Sequence, residues 1–264
     1  MSRFFTVELS DPRFESDNLR LITVKSPALK KRADMTVFVP EVPASAVKGM
    51  VILLHGVYGS HWAWTLKGGV HKTAQGLLSE GRILPLLLVM PSDGLFGDGS
   101  GYVPHQTEDY EKWIIEDVPA IVKEQILAGQ EVPLFITGLS MGGFGALRLG
   151  AAYPDKFRAF SGHSSITEFS QLSQFVEDFE GLMTNTQPSA SVLESMVKNK
   201  AILPPFRFDC GKEDLLLEPN RVLHHALMQH GIEHRYEEFS GGHEWPYWEK
   251  HIADSLLFFG SLCH

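Results

Sequence analysis

With 264 residues, the chain is long enough to bury one large core, and its 44% hydrophobic and 21% charged content is that of an ordinary soluble globular protein. A formal net charge of −9, with no basic cluster denser than Lys30-Lys31-Arg32, argues against nucleic acid or an anionic membrane surface as the main partner. Two cysteines, Cys210 and Cys263, are too few for a disulfide framework and fit a reducing compartment.

The N-terminus, Met1 to Glu8, lacks the apolar core of a signal peptide. No apolar run is long enough to cross a bilayer, and the best candidate, 83–90, is interrupted by Pro85. A cytoplasmic location is expected, unless a leader has been removed. Residues 4–9 alternate, and 19–24 and 35–39 are rich in strand formers, with Pro27 and Pro40 as punctuation. This predicts an antiparallel opening to a sheet. From Met50 the pattern changes to short apolar strands at 50–54, 86–90, 134–137, 206–210 and 234–239. Runs of that kind suit parallel strands covered by helices. Helices are predicted between them at 70–79, 108–127, 144–152, 219–230 and 246–259, with Pro119 starting a new helix or kinking the second. The stretch 166–203 is polar, with two helix-like pieces and Thr184-Asn185-Thr186-Gln187-Pro188. It reads as an excursion forming one wall of a pocket, or as a helical crossover with a surface loop. The expected architecture is a single α/β domain over 1–264, with a mostly parallel central sheet, antiparallel N-terminal strands and helices on both faces.

Gly138-Leu139-Ser140-Met141-Gly142-Gly143 lies between a predicted strand and a predicted helix, the context of a nucleophile elbow. Side chains at Gly138 and Gly142 would crowd such a turn. Ser140 would then stand at a helix N-terminus, where partial positive charge favours a developing oxyanion. A serine hydroxyl needs a base, and the base an orienting acid, expected in the order Ser, Asp or Glu, His. Of the histidines after Ser140, His243 stands out in Ser240-Gly241-Gly242-His243-Glu244-Trp245, a loop after the strand at 234–239 and before the last helix. His224, His225 and His230 fall in a helical run, His251 within the last helix, and His264 is terminal. The best acid is Asp214, just past Gly211, with Glu213 and Asp209 as alternatives. Asp209 lies within a strand and suits the role less well. For an oxyanion hole, the amide of Met141 pairs with one from His55-Gly56-Val57-Tyr58-Gly59-Ser60, and Val57 is the choice there.

The aromatics of His61-Trp62-Ala63-Trp64 and Trp245-Pro246-Tyr247-Trp248 could line a pocket or pack the core. The acid- and glycine-rich stretch from Asp93 to Gly101 does not have EF-hand spacing and reads as a mobile loop near the pocket. No histidine shows zinc-type spacing with a third ligand. Cys210, in a predicted buried strand, reads as a small core residue.

With these motifs in place, the chain resembles the esterase D-like, tributyrin-type branch of the α/β hydrolases. That group includes S-formylglutathione hydrolases, feruloyl and acetylxylan esterases and mycolyl transferases. Val51 to Gly56 is similar to the family's oxyanion strand, Gly138 to Gly143 to its elbow, Cys210-Gly211-Lys212-Glu213-Asp214 to its acid loop, and Gly241 to Trp245 to its histidine loop. The resemblance implies an α/β-hydrolase fold, a triad of Ser140, Asp214 and His243, and oxyanion amides from Val57 and Met141. It also implies a serine carboxylesterase acting on small acyl, acetyl or aryl esters through an acyl-enzyme, with no cofactor and no metal. The rival readings are an acyltransferase, an S-formylglutathione hydrolase-like thioesterase, and a non-catalytic binding protein of the same fold. The stretch from His55 to Trp64 looks more like the tributyrin-type and carbohydrate-type esterases than the longer loop of S-formylglutathione hydrolases. Lack of an export signal weakens a role on extracellular plant polymer. The expected partner is a small-molecule ester, with no nucleic acid and no membrane; a homo-oligomer is left open.

Overall fold

The computed structural model of the chain describes residues 2–186 and 191–263. Its centre is a nine-stranded sheet: β1 (Val7–Leu9), β2 (Leu19–Lys25), β3 (Arg32–Phe38), β4 (Gly49–Leu54), β5 (Leu86–Pro91), β6 (Leu134–Gly138), β7 (Phe157–His163), β8 (Phe206–Gly211) and β9 (Arg235–Phe239). The spatial order is β1-β2-β3-β5-β4-β6-β7-β8-β9. The first three strands pair antiparallel, as does β3 with β5, and every pairing from β5 across to β9 is parallel.

Parallel strands need crossovers, and the helices that supply them cover both faces. Alternation along β4 shows how the faces divide. Met50, Ile52 and Leu54 point into one core, Val51 and Leu53 into the other, and all are buried. The helices are α1 (Ala63–Leu66), α2 (Val70–Ser79), α3 (Tyr110–Lys112), α4 (Val118–Gln125), α5 (Met141–Ala152), α6 (Phe179–Asn185), α7 (Val192–Lys198), α8 (Leu217–Gln229) and α9 (Trp245–Gly260). The Met50 side receives Trp113, Ile121, Phe144, Met196 and Leu227; the Val51 side receives Trp64, Ala74, Ile252, Leu256 and Phe259. At about 1.5–3 kcal/mol for each large apolar side chain fully buried, these two layers are the main force holding the loops at the sheet edge in place.

Several elements differ from the sequence expectation. β7 was not expected, because Arg158, Ser161, Gly162 and His163 break its apolar run. The buried Ser161 hydroxyl in it is satisfied internally: Ser161 Oγ lies 2.7 Å from Thr137 Oγ1 and 2.8 Å from Ser255 Oγ. The long helix at 108–127 is three pieces. A π turn at Trp113–Asp117 separates α3 from α4, with the Val118 N–H bonded to the Trp113 carbonyl and Pro119 in the first turn of α4. The edge strand β9 is only half-buried, and Arg235, Glu237 and Glu238 charge that edge. Over 166–203 the described residues form short 3-10 turns with α6 and α7 between them; Gln187 and Pro188 of the polar motif lie outside the described residues, as does His264. No helix among the described residues is long and apolar enough to cross a membrane.

Candidate active site

The elbow forms where β6 reverses into α5. Ser140 has φ 55° and ψ −119°, a strained conformation for a residue with a side chain. The neighbouring glycines are required by contact. A Cβ on Gly138 would lie 2.2 Å from the Gly142 carbonyl oxygen, and one on Gly142 would lie 2.3 Å from the Leu54 carbonyl oxygen. Backbone bonds lock the turn from behind: the Ser140 N–H donates to the His163 carbonyl at 3.0 Å, and the Ile166 N–H to the Ser140 carbonyl at 3.2 Å. Helix α5 therefore begins three residues earlier than its apolar pattern predicts, since Gly142 and Gly143 are poor helix formers kept for close approach.

Asp214 and His243 lie on adjacent loops after β8 and β9. The two turns touch so closely that a Cβ on Gly211 would meet the Gly241 carbonyl oxygen at 2.1 Å. The Lys212 N–H donates to the Phe239 carbonyl at 2.8 Å and the Glu213 N–H to the Gly241 carbonyl at 3.1 Å. Gly241 itself has φ 129°. The Asp214 carboxylate accepts the Leu216 N–H at 2.8 Å, which fixes its orientation. His243 Nδ1 then lies 2.9 Å from Asp214 Oδ2, and His243 Nε2 lies 3.0 Å from Ser140 Oγ. The imidazole is held between two aromatic rings: Phe175 stacks on it at 5.6 Å between centroids, and Trp248 meets it edge-on at 5.0 Å. A ring held this way, with a carboxylate on one nitrogen and a hydroxyl on the other, can take the hydroxyl proton and stabilise the resulting cation.

The loop after β4 supplies backbone N–H groups. His55, 2% exposed, has Nδ1 2.7 Å from the Gly56 carbonyl, while its Nε2 accepts the Asp93 N–H at 3.2 Å. Because a backbone N–H can only donate, Nε2 must be the acceptor and Nδ1 carries the proton. The Gly59 N–H also reaches the Gly56 carbonyl, at 3.2 Å. The Met141 N–H is at the first turn of α5, where N–H groups have no partner within the helix.

Around Ser140 and His243 is a cavity of about 470 Å³ lined by Val57, Tyr58, Trp62, Phe175, Trp245 and Trp248 among others. A cavity of about 550 Å³ at the start of β8 and β9, lined by residues including Lys200, Pro204, His234 and Arg235, holds none of these groups.

Comparison with known proteins adds the family. The family model described as "Putative esterase" matches residues 26–259. The chain belongs to this esterase family. It is a carboxylic ester hydrolase. An acetyl esterase from Caldicellulosiruptor saccharolyticus is 27% identical over 232 residues, covering 77% of this chain and 80% of the relative. Among solved structures, a ferulic acid esterase superposes with a TM-score of 0.78 at 23% identity, covering 98% of this chain and 100% of that one. An S-formylglutathione hydrolase from Staphylococcus aureus gives 0.76 at 19% identity, covering 96% and 98%. These superpositions establish the α/β-hydrolase fold for the esterase.

The other sequence candidates lie elsewhere in the esterase. Glu213 is exposed and accepts the Gly241 N–H at 2.5 Å. Asp209 is fully buried, away from His243, and contacts His163, Arg207 and Tyr247. Burial pushes its carboxyl up, but His163, Arg207 and Tyr247 outweigh burial and hold it below the usual carboxylate range. His224 and His234 bond each other at 2.7 Å, and His251 contacts Asp254 at 3.0 Å. Cys210 is buried in β8, and burial, with Asp214 and Asp209 nearby, pushes its thiol up; burial likewise pushes Cys263 up to about 11. Neither thiol is activated. In the loop from Asp93 to Gly101, the carboxylates face backbone amides: Asp93 accepts from Leu95 and Ser100, and Asp98 from Glu177. Of the two aromatic clusters, Trp62 and Trp245 line the cavity, while Trp64 and Tyr247 pack in the core. Phe175 was not singled out in the sequence. Its only signal was its place in the 166–203 excursion.

Proposed function

We propose that Ser140 is the nucleophile, His243 the general base, Asp214 the orienting acid, and the amides of Val57 and Met141 the oxyanion hole, and that the substrate is a small acyl, acetyl or aryl ester. Ser140 Oγ attacks the ester carbonyl as its proton passes to His243 Nε2. Asp214 holds the Nδ1–H tautomer and offsets the charge of the imidazolium. The two amides donate to the tetrahedral oxyanion, for which each is worth ~10²–10³ in rate. The imidazolium then returns its proton to the departing alkoxide, leaving an acyl-Ser140. Water, deprotonated by the same imidazole, attacks the acyl carbon; the bond from that carbon to Ser140 Oγ breaks as the imidazolium returns the proton to Oγ, releasing the acid and restoring the free hydroxyl.

The observation that carries this reading is the relay itself, 3.0 Å from hydroxyl to Nε2 and 2.9 Å from Nδ1 to carboxylate, beside a strained serine at a helix N-terminus. The substrate class rests on the apolar, aromatic cavity and on likeness to proteins named acetyl esterase and ferulic acid esterase. Rapid mixing with a nitrophenyl ester of a short acid tests it. An initial burst of nitrophenolate equal to the enzyme concentration is expected, absent in Ser140→Ala. Retention of most of the turnover by Ser140→Ala would overturn the mechanism.

A further inference from the structure

Beneath the three loops of the site lies a second cluster of the same residue types. His163 Nδ1 is 2.9 Å from Asp209 Oδ2, and His163 Nε2 is 2.9 Å from Ser255 Oγ. Every member is 0% exposed. A hydroxyl sealed in this way cannot meet a substrate, so the cluster is not a second catalytic centre.

Its connections point to a different use. Asp209 accepts from Tyr247 OH at 2.7 Å through Oδ1, while Oδ2 faces His163 and also Arg207 Nη1, at 3.0 Å. The contacts with His163 and Tyr247, and the strand that carries Asp209, each lead to one part of the site. The carbonyl of His163 holds the Ser140 N–H. Asp209 sits on β8, two residues before Gly211, where the chain turns toward Asp214. Tyr247 lies in the first turn of α9, four residues past His243, and its ring packs on the histidine loop, where a Cβ on Gly241 would come within 2.8 Å of it. One buried carboxylate thus joins the carriers of nucleophile, acid and base.

We propose that Asp209 is a positioning residue: through Tyr247 and His163 it ties the histidine loop to the elbow and so sets the separation of His243 from Ser140. The proposal rests on the triad reading above. Misplacement of a catalytic group by about 1 Å can cost ~10² in rate, and that scale defines the test. Tyr247→Phe removes one hydroxyl and keeps the ring. We expect kcat per active site, counted by fluorophosphonate labelling, to fall roughly 10- to 100-fold with KM within about twofold. Asp209→Asn should fall at least as far, and the double variant no further than Asp209→Asn alone, because both act through one bond. If Asp209→Asn does not fold, Tyr247→Phe decides alone. A Tyr247→Phe enzyme with fewer labelled sites but wild-type kcat per site would mean that the bond only stabilises the fold, and would overturn the proposal. So would additive losses in the double variant. Ser140→Ala measured alongside separates the two levels. Activity there sinks the triad reading and this proposal with it, whereas an inactive Ser140→Ala beside an unaffected Tyr247→Phe sinks only the tether.

Discussion

Replacing His55 with leucine tests the proposal that the esterase aims the Val57 N–H at the reacting oxygen. The Gly56 carbonyl and the Val57 N–H belong to one planar trans peptide and point in opposite directions. The 2.7 Å bond from His55 to that carbonyl therefore also sets the direction of the Val57 N–H. Leucine fills much of the ring's space and makes neither of its bonds. The Asp93 N–H, now held at 3.2 Å, becomes a buried donor without its acceptor, at a cost of about 1–3 kcal/mol. The Gly56 carbonyl keeps the Gly59 N–H at 3.2 Å and loses about 0.5–1.5 kcal/mol. The sum, roughly 1.5–4.5 kcal/mol, is less than the stability of most domains, so a folded variant is expected. Freed from its anchor, the peptide can rotate the N–H away from the oxyanion, and loss of one such donor costs ~10²–10³ in kcat. The assay is steady-state hydrolysis of a nitrophenyl acetate, normalised to labelled sites, with urea unfolding run in parallel. A folded His55→Leu enzyme with kcat per site within about threefold of wild type would mean that the His55 bond does not aim the Val57 N–H.

Asp214→Asn should lower kcat by ~10³–10⁴, because the amide can favour the wrong imidazole tautomer, whereas Glu213→Gln should stay within about fivefold in the same ester assay. Gly142→Ala places a Cβ 2.3 Å from the Leu54 carbonyl oxygen and 2.6 Å from that of His55, so a loss of about 3 kcal/mol or more is expected in urea unfolding. Gly76→Ala, in α2 with nothing within 4 Å of the new methyl group, should instead stabilise by about 0.5–1 kcal/mol. The folded state holds the Asp209 carboxyl below its usual value, so the unfolded chain binds more protons as pH falls. Its contribution to stability is complete above the unfolded value of about 3.9 and disappears as pH drops through the lower folded value. As pH is lowered below about 4, urea midpoints should fall more steeply for wild type than for Asp209→Asn; parallel curves would count against the assignment.

The parts of the site that were legible in the sequence are those whose chemistry is local. An apolar strand, Gly-x-Ser-x-Gly and a helix announce an elbow because the tight turn needs glycine at fixed offsets, and the loops holding Asp214 and His243 follow strands that can be read from their apolar runs. What could not be read depends on contacts between distant segments. β7 is buried, yet it carries Ser161 and His163, whose polar groups are matched by Thr137 and Ser255 from other elements. Phe175 joins the site by stacking on a histidine 68 positions away, in a segment with no strong period. Asp209 and Asp214 are both acidic residues near the end of one strand. Which of them faces His243 is decided by the strand's end, since Asp209 is enclosed between the sheet and Tyr247 while Asp214 lies beyond the turn.

The most direct test is to treat the esterase with a fluorophosphonate and map the adduct by peptide mass spectrometry, in wild type and in His243→Ala. One adduct is expected, on the peptide carrying Ser140, formed rapidly in wild type and slower by orders of magnitude without the imidazole. An adduct on another residue, or equal labelling rates in the two proteins, would contradict the proposed triad.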